Sequence, residues 1–136
     1  MKGRVEIVYN RFGEMGAGLR PQVDRFAGHT AYNILSYAKQ LQASGPKTGR
    51  VYRRGNVEHQ ASAPGEAPAV DLGNLINSGG VEALASCLWA IFFTAEYAKP
   101  LEFGTPRMSA RPFLRPSVER FRQAYYDGIA ALVGRV

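Results

Sequence analysis

Between Val23 and Leu41, apolar side chains return at every third or fourth position: Val23, Phe26, Ala27, Ala31, Ile34, Leu35, Ala38 and Leu41. At about 3.6 residues per turn this spacing lines them up as one broad stripe, which predicts a long amphipathic helix that needs another surface to cover it. Pro21 suits the first turn, where its missing N–H has no partner to lose, and Ser44-Gly45-Pro46 is a strong stop. His29 falls at the stripe's margin with no Cys, Asp or Glu at ligand spacing, so it reads as a partly buried structural histidine.

The remaining apolar runs supply the covering surface. Arg4–Tyr9 alternates polar and apolar and then turns apolar, as a short strand does. Val81–Ala85 and Leu88–Ala95 read as two further strands. The second (LWAIFFTA) is rich in aromatic and β-branched residues, with Trp89, Phe92 and Phe93 expected in the core. Only Ser86 and Cys87 separate the two, so a tight hairpin is expected. Ahead of them Asp71 can cap a brief helical turn, and Gly79-Gly80 breaks it. Near the C-terminus Ser117 can cap a second helix reaching about Val133, with Val118, Phe121, Tyr125, Ile129 and Leu132 on its apolar face. Two amphipathic helices and a few antiparallel strands give an α+β fold in which the helices cover a small sheet. The 136 residues suit one domain, 1–136, with one sizeable core.

Several chemistries are disfavoured by the residues themselves. Two histidines, one cysteine and no clustered carboxylates offer no nucleophile–base pair and no metal set, so the chain reads as non-enzymatic, with no cofactor. Glu96 and Glu102 are six apart, but they flank a packing unit. Cys87 has apolar flanks and reads as a buried thiol, and a single cysteine cannot form an internal disulfide. The glycines of Asn10–Arg20 fit neither a dinucleotide fingerprint nor a P-loop, and Gly45-Pro46-Lys47-Thr48-Gly49 lacks the Walker spacing. No apolar run reaches the roughly 20 residues that cross a bilayer. Met1-Lys2-Gly3-Arg4 leads into a strand instead of a secretory apolar region, so no export is expected.

The formal charge of +6 is unevenly distributed. Residues 44–63 hold four basic groups against one acidic, whereas 64–98 hold four acidic groups and no basic one. Such a chain can bind nucleic acid, and it can equally present complementary faces to copies of itself. The basic cluster Lys47, Arg50, Arg53 and Arg54 lies in Gly45–Gly73, a proline- and glycine-rich stretch without a sustained apolar period. A loop of that length is usually functional, and it reads as an extended arm that orders against a neighbour. Tyr52 among the arginines could stack on a base, but one aromatic is thin support for single-strand binding. His59 shows no partner in the sequence.

Tyr97–Pro116 (YAKPLEFGTPRMSARPFLRP) holds four prolines and four basic residues. Tyr97, Leu101 and Phe103 are expected to be buried, and Glu96–Leu101 to form a short helix. Glu102 and Gly104-Thr105-Pro106 force a turn. The prolines from Arg111 to Pro116 then make a stiff extended lead-in.

The pattern YA-x-x-LEFGT followed by M-x-ARPFLRP and a helix, carried by Tyr97, Glu102, Phe103, Gly104, Thr105, Pro112, Phe113 and Pro116, resembles the C-terminal signature of the head–tail joining proteins of long-tailed double-stranded DNA phages. These are also called tail-completion or neck proteins. Gly45–Ser78 resembles the middle of the same family, and the two matches together span roughly the C-terminal two-thirds. The chain departs from the pattern at Asn74, where a basic residue is expected, and at Gly79-Gly80, where β-formers are expected. The resemblance implies a structural virion protein, assembled in the host cytoplasm. It would form a homo-oligomeric ring, a hexamer or a dodecamer, between the portal complex and the tail tube or tail-terminator proteins. Non-specific contact with packaged DNA is compatible with that place. The expected interface residues are Lys47, Arg50, Tyr52, Arg53, Arg54, Arg107, Arg111 and Arg115, since the planar fork of arginine suits interface ion pairs. The rival reading is a DNA-binding module that uses the basic arm and the C-terminal arginines on phosphates.

Overall fold

In chain order the elements are β1 (Gly3–Ile7), α1 (Leu19–Ser44), β2 (Val51–Arg54), β3 (Val57–Gln60), α2 (Asn74–Asn77), β4 (Gly79–Ala85), β5 (Leu88–Phe93), α3 (Ala98–Phe103) and α4 (Leu114–Val133). They come from a computed structural model that describes residues 3–7, 18–69 and 73–134. Val8, Tyr9, most of the Asn10–Arg20 connector and Asp71 with its expected cap lie outside those residues.

The stripe predicted on α1 is the centre of the protein. Val23, Ala27, Ala31, Ile34, Leu35 and Ala38 are all buried. One side of the helix lies on a three-stranded antiparallel sheet of order β1-β5-β4, and α4 lies mainly on α1. This is the α+β architecture expected from the two helical periodicities. His29, by contrast, is exposed rather than partly buried.

The central position of β5 explains its composition. Strands on both sides and α1 across one face bury Ala90, Ile91 and Phe93, while Trp89 and Phe92 are partly covered. The helical turn ends ahead of Gly79-Gly80 as expected, but both glycines belong to β4, which starts two residues earlier than Val81. Their register partners are Phe93 and Phe92, and a Cβ would lie 2.7 Å from the Phe93 ring at Gly79 and 2.6 Å from the Phe92 ring at Gly80. The rings lie across the strand on glycine backbone, so β-forming side chains at these positions would collide with them.

The hairpin between β4 and β5 turns on Ser86 and Cys87 as expected. Cys87 takes a left-handed φ of +61° and is 2% exposed. Its N–H donates to Asp24 Oδ1 at 2.8 Å, and the indole N–H of Trp89 reaches the same oxygen at 3.1 Å. One carboxylate on α1 thereby fixes both the turn and the following strand.

α4 begins earlier than Ser117. Ser117 is buried inside the helix and its hydroxyl donates back to the Phe113 carbonyl at 2.6 Å, so it is not the cap. Pro116 falls in the first turn, where no intrahelical N–H is required. The helix meets α1 through the stacked rings of Phe26 and Tyr125, 5.5 Å apart, and through Tyr37 edge-on to Phe121 at 6.0 Å. Its start is fixed to the sheet by Phe113, whose ring sits edge-on to Phe93 at 4.9 Å.

α3 occurs two residues later than expected. It buries Ala98 and half-buries Leu101. Tyr97 and Phe103, expected inside, are 44% and 58% exposed. Helix geometry accounts for Phe103, since two residues beyond Leu101 is the opposite side of the helix. No helix among the described residues is long and apolar enough to cross a membrane.

Candidate functional site

Two surfaces carry the residues singled out from the sequence, and a backbone hydrogen bond joins them. The first is the arm. Gly45–Gly73 is not a loop without regular structure, because its middle forms the antiparallel hairpin β2–β3. Gly55, first of the two turn residues, supplies the left-handed φ of +63° that a two-residue hairpin turn requires. Cross-strand pairs set the two faces: Val51 opposite Gln60, Tyr52 opposite His59, Arg53 opposite Glu58 and Arg54 opposite Val57. The rings of Tyr52 and His59 stack at 5.6 Å, so the tyrosine face proposed for a base is already occupied on one side by a histidine of the same chain.

The root of the arm is clamped. Gly49 N–H donates to the Ala61 carbonyl and Ala61 N–H to the Arg50 carbonyl, both at 2.9 Å. Glu66 accepts from Thr48 N–H at 2.8 Å, from the Thr48 hydroxyl at 2.5 Å and from Ala63 N–H at 2.8 Å. These bonds, the Thr48 hydroxyl first, hold its carboxyl below the usual carboxylate range. Lys47 Nζ donates to the Leu41 carbonyl at 2.9 Å and caps the end of α1. Burial pushes its ammonium below the usual lysine range, opposed by the charge of Glu66. Within the single chain Lys47 is therefore tied to the root.

Beyond the root, among the described residues, the two strands pack closely on each other and on no other element. Arg50 and Arg53 are exposed, as are Val51 at 54% and Val57 at 56%.

The second surface is the Tyr97–Pro116 segment. Glu102, read from the sequence as a turn former, receives the start of α4. Phe113 and Leu114 N–H donate to Oε2 at 2.9 Å each, and Arg115 N–H to Oε1 at 2.7 Å. The positive end of the helix and three otherwise unpaired amides thus meet one carboxylate. Gly104 has a φ of +74°, and a Cβ there would lie 2.8 Å from Ala110 N. Thr105 and Met108 form an isolated antiparallel bridge, and Thr105 Oγ1 accepts from Arg107 N–H at 3.2 Å. Pro112 is half-buried and Phe113 buried.

The basic residues of this segment separate into two groups. Arg111 is half-buried, with Nη1 3.9 Å from the Met108 sulfur and a buried Nε that has no hydrogen-bond partner among the described residues. Its Nε faces inward, while the rest of the side chain is partly open to solvent. Arg107 and Arg115 are exposed, and the Arg115 guanidinium stands 5.9 Å from the ring of exposed Phe103. The arm root meets this segment where Gly65 N–H donates to the Ala110 carbonyl at 3.0 Å.

Sequence reasoning missed the hairpin, the Glu66 clamp and Asp24. The Gly55-Asn56 pair between Val51-Tyr52 and Val57 was a usable signal for the first, whereas the carboxylate contacts of Glu66 and Asp24 leave no mark in local composition. An open cleft lined by Asn33, Ser36, Tyr37, Gln40, Arg120 and Phe121 lies between α1 and α4, with the Arg120 guanidinium 4.8 Å from the Tyr37 ring. Among the described residues no three metal-binding side chains come together. Comparison with protein-family models, with curated proteins and with solved structures finds no match.

Proposed function

We propose that this chain is a structural protein of the phage neck. Its copies form a ring, hexameric or dodecameric, that joins the portal complex to the tail tube and completes the tail. The motif residues that suggested the family support this reading by what they do together: Glu102, Gly104, Thr105 and Phe113 build one compact junction between α3 and α4. The observation that carries the proposal is the arm. A two-stranded hairpin is marginal in water by itself, yet this one exposes Val51 on one face and Val57 on the other, and among the described residues no other element packs closely on it. A surface of that kind gains stability from a neighbour.

Sedimentation velocity and electron microscopy of the full chain test the reading, with closed rings that bind tail-tube or portal components as the expected result. A protein that stays monomeric at high concentration and ignores those components would overturn it. Exposed Arg50 and Arg53 also suit the DNA-binding alternative. That alternative requires duplex affinity falling steeply with salt, because each phosphate contact releases counterions.

A further inference from the structure

We infer that the arm of one copy adds edge-on to strand β4 of the next copy. The inference rests on the ring reading and supplies its missing contact. β4 is the outer strand of the order β1-β5-β4, and no strand lies beyond it among the described residues. An outer strand presents a row of N–H and C=O groups available to another strand. The usual protections are sparse here. The sequence of β4, GGVEALA, contains neither Lys nor Pro, and its one irregularity is the register shift between Ala83 and Ala85 at its far end. Its exposed side chains, Ala83 and Ala85 beside Glu82, are small enough to let a second backbone approach.

The arm is complementary to that edge. As a two-stranded sheet it has open edges of its own, with exposed Val57 on one face to lie beside alanine and Arg53 on the other. Residues 50–60 carry three arginines and one glutamate, whereas 64–98, which includes β4, carries four acidic residues and no basic one. Arg53 and Glu82 are both exposed and of opposite charge. Among the described residues of one chain the arm does not pack closely on β4, and its root is held by Glu66 and by the Gly65–Ala110 bond. Donor and acceptor are thus different patches of the same molecule. Contacts of that type run head to tail, and they close into a ring when the rotation allows.

Amide hydrogen exchange on the full chain, dilute and concentrated, reads the contact directly. The expected result is that assembly slows exchange in both 50–60 and 79–85 by about tenfold or more. Arg53→Glu and Glu82→Arg should each weaken assembly, and the two changes combined should restore it. Rings that leave exchange in β4 unchanged would overturn the arm–edge contact while sparing the ring reading. Concentration-dependent protection of both segments in open chains or dimers supports the contact and removes the ring. A chain showing neither association nor protection removes both.

Discussion

The carboxylate of Glu102 accepts the Phe113 amide at 2.9 Å across eleven residues of chain, and the next two amides of α4 converge on the same group. This contact turns the proline-rich segment into a closed loop whose two ends, α3 and the start of α4, cannot move independently. Replacing Glu102 with Ala strands three helix-start amides, so a loss of about 1–3 kcal/mol is expected. Glu102→Gln keeps one acceptor oxygen and should lose less. Thermal melting followed by circular dichroism checks the order Glu, Gln, Ala. An alanine variant as stable as the parent would show that water replaces the carboxylate without cost.

Asp24 has a comparable role near the start of α1. Its Oδ1 holds the Cys87 amide in a left-handed turn and the Trp89 indole. Asp24→Ala should destabilise by about 1–3 kcal/mol, since both donors are partly buried. Trp89 is the sole tryptophan, so its fluorescence reports the site without labelling. A red shift in the folded alanine variant is expected, and Asp24→Asn, which retains an oxygen acceptor, should shift less.

What could be read from the sequence follows from where side chains go. α1 and β5 were legible because burial selects their residues, leaving a helical period in one and a continuous apolar run in the other. β2 and β3 escaped notice because exposed Val51, Arg53, Val57 and Glu58 answer to no core and show no period. Tyr97 and Phe103 were misread because side-chain size alone does not fix the face: Phe103 lies on the side of α3 opposite Leu101. The role of Glu102 was out of reach, since its partners are backbone amides and any sequence has those.

Gly79 is where this chain departs most visibly from a β-forming pattern, and the structure assigns the departure to packing. A Cβ at Gly79 meets the Phe93 ring at 2.7 Å and Leu35 at 2.9 Å, both in the core. Gly79→Ala should therefore destabilise by about 1–3 kcal/mol through overpacking, although alanine has the better strand entropy. Chemical denaturation of Gly79→Ala alone and with Phe93→Leu checks the cause, because the smaller partner should recover part of the loss. Equal losses in the two backgrounds would place the effect elsewhere.

The Glu66 clamp gives the arm a pH dependence of defined sign. The Thr48 hydroxyl, then the Ala63 and Thr48 amides, hold the folded carboxyl below its ordinary value of 4.5. A group lowered on folding stabilises the ordered root fully above the unfolded value, and that contribution is lost as pH falls through the folded one. Between neutral pH and about pH 5 the root should therefore be insensitive to pH, with release confined to more acidic conditions. Amide chemical shifts of Thr48 and Ala63 followed from pH 7 downward should titrate together with a midpoint below 4.5. In Glu66→Gln that shared transition should vanish, leaving the root equally loose at every pH. A midpoint at or above the ordinary carboxylate value, or independent titration of the two amides, would show that Glu66 does not hold both sides of the arm.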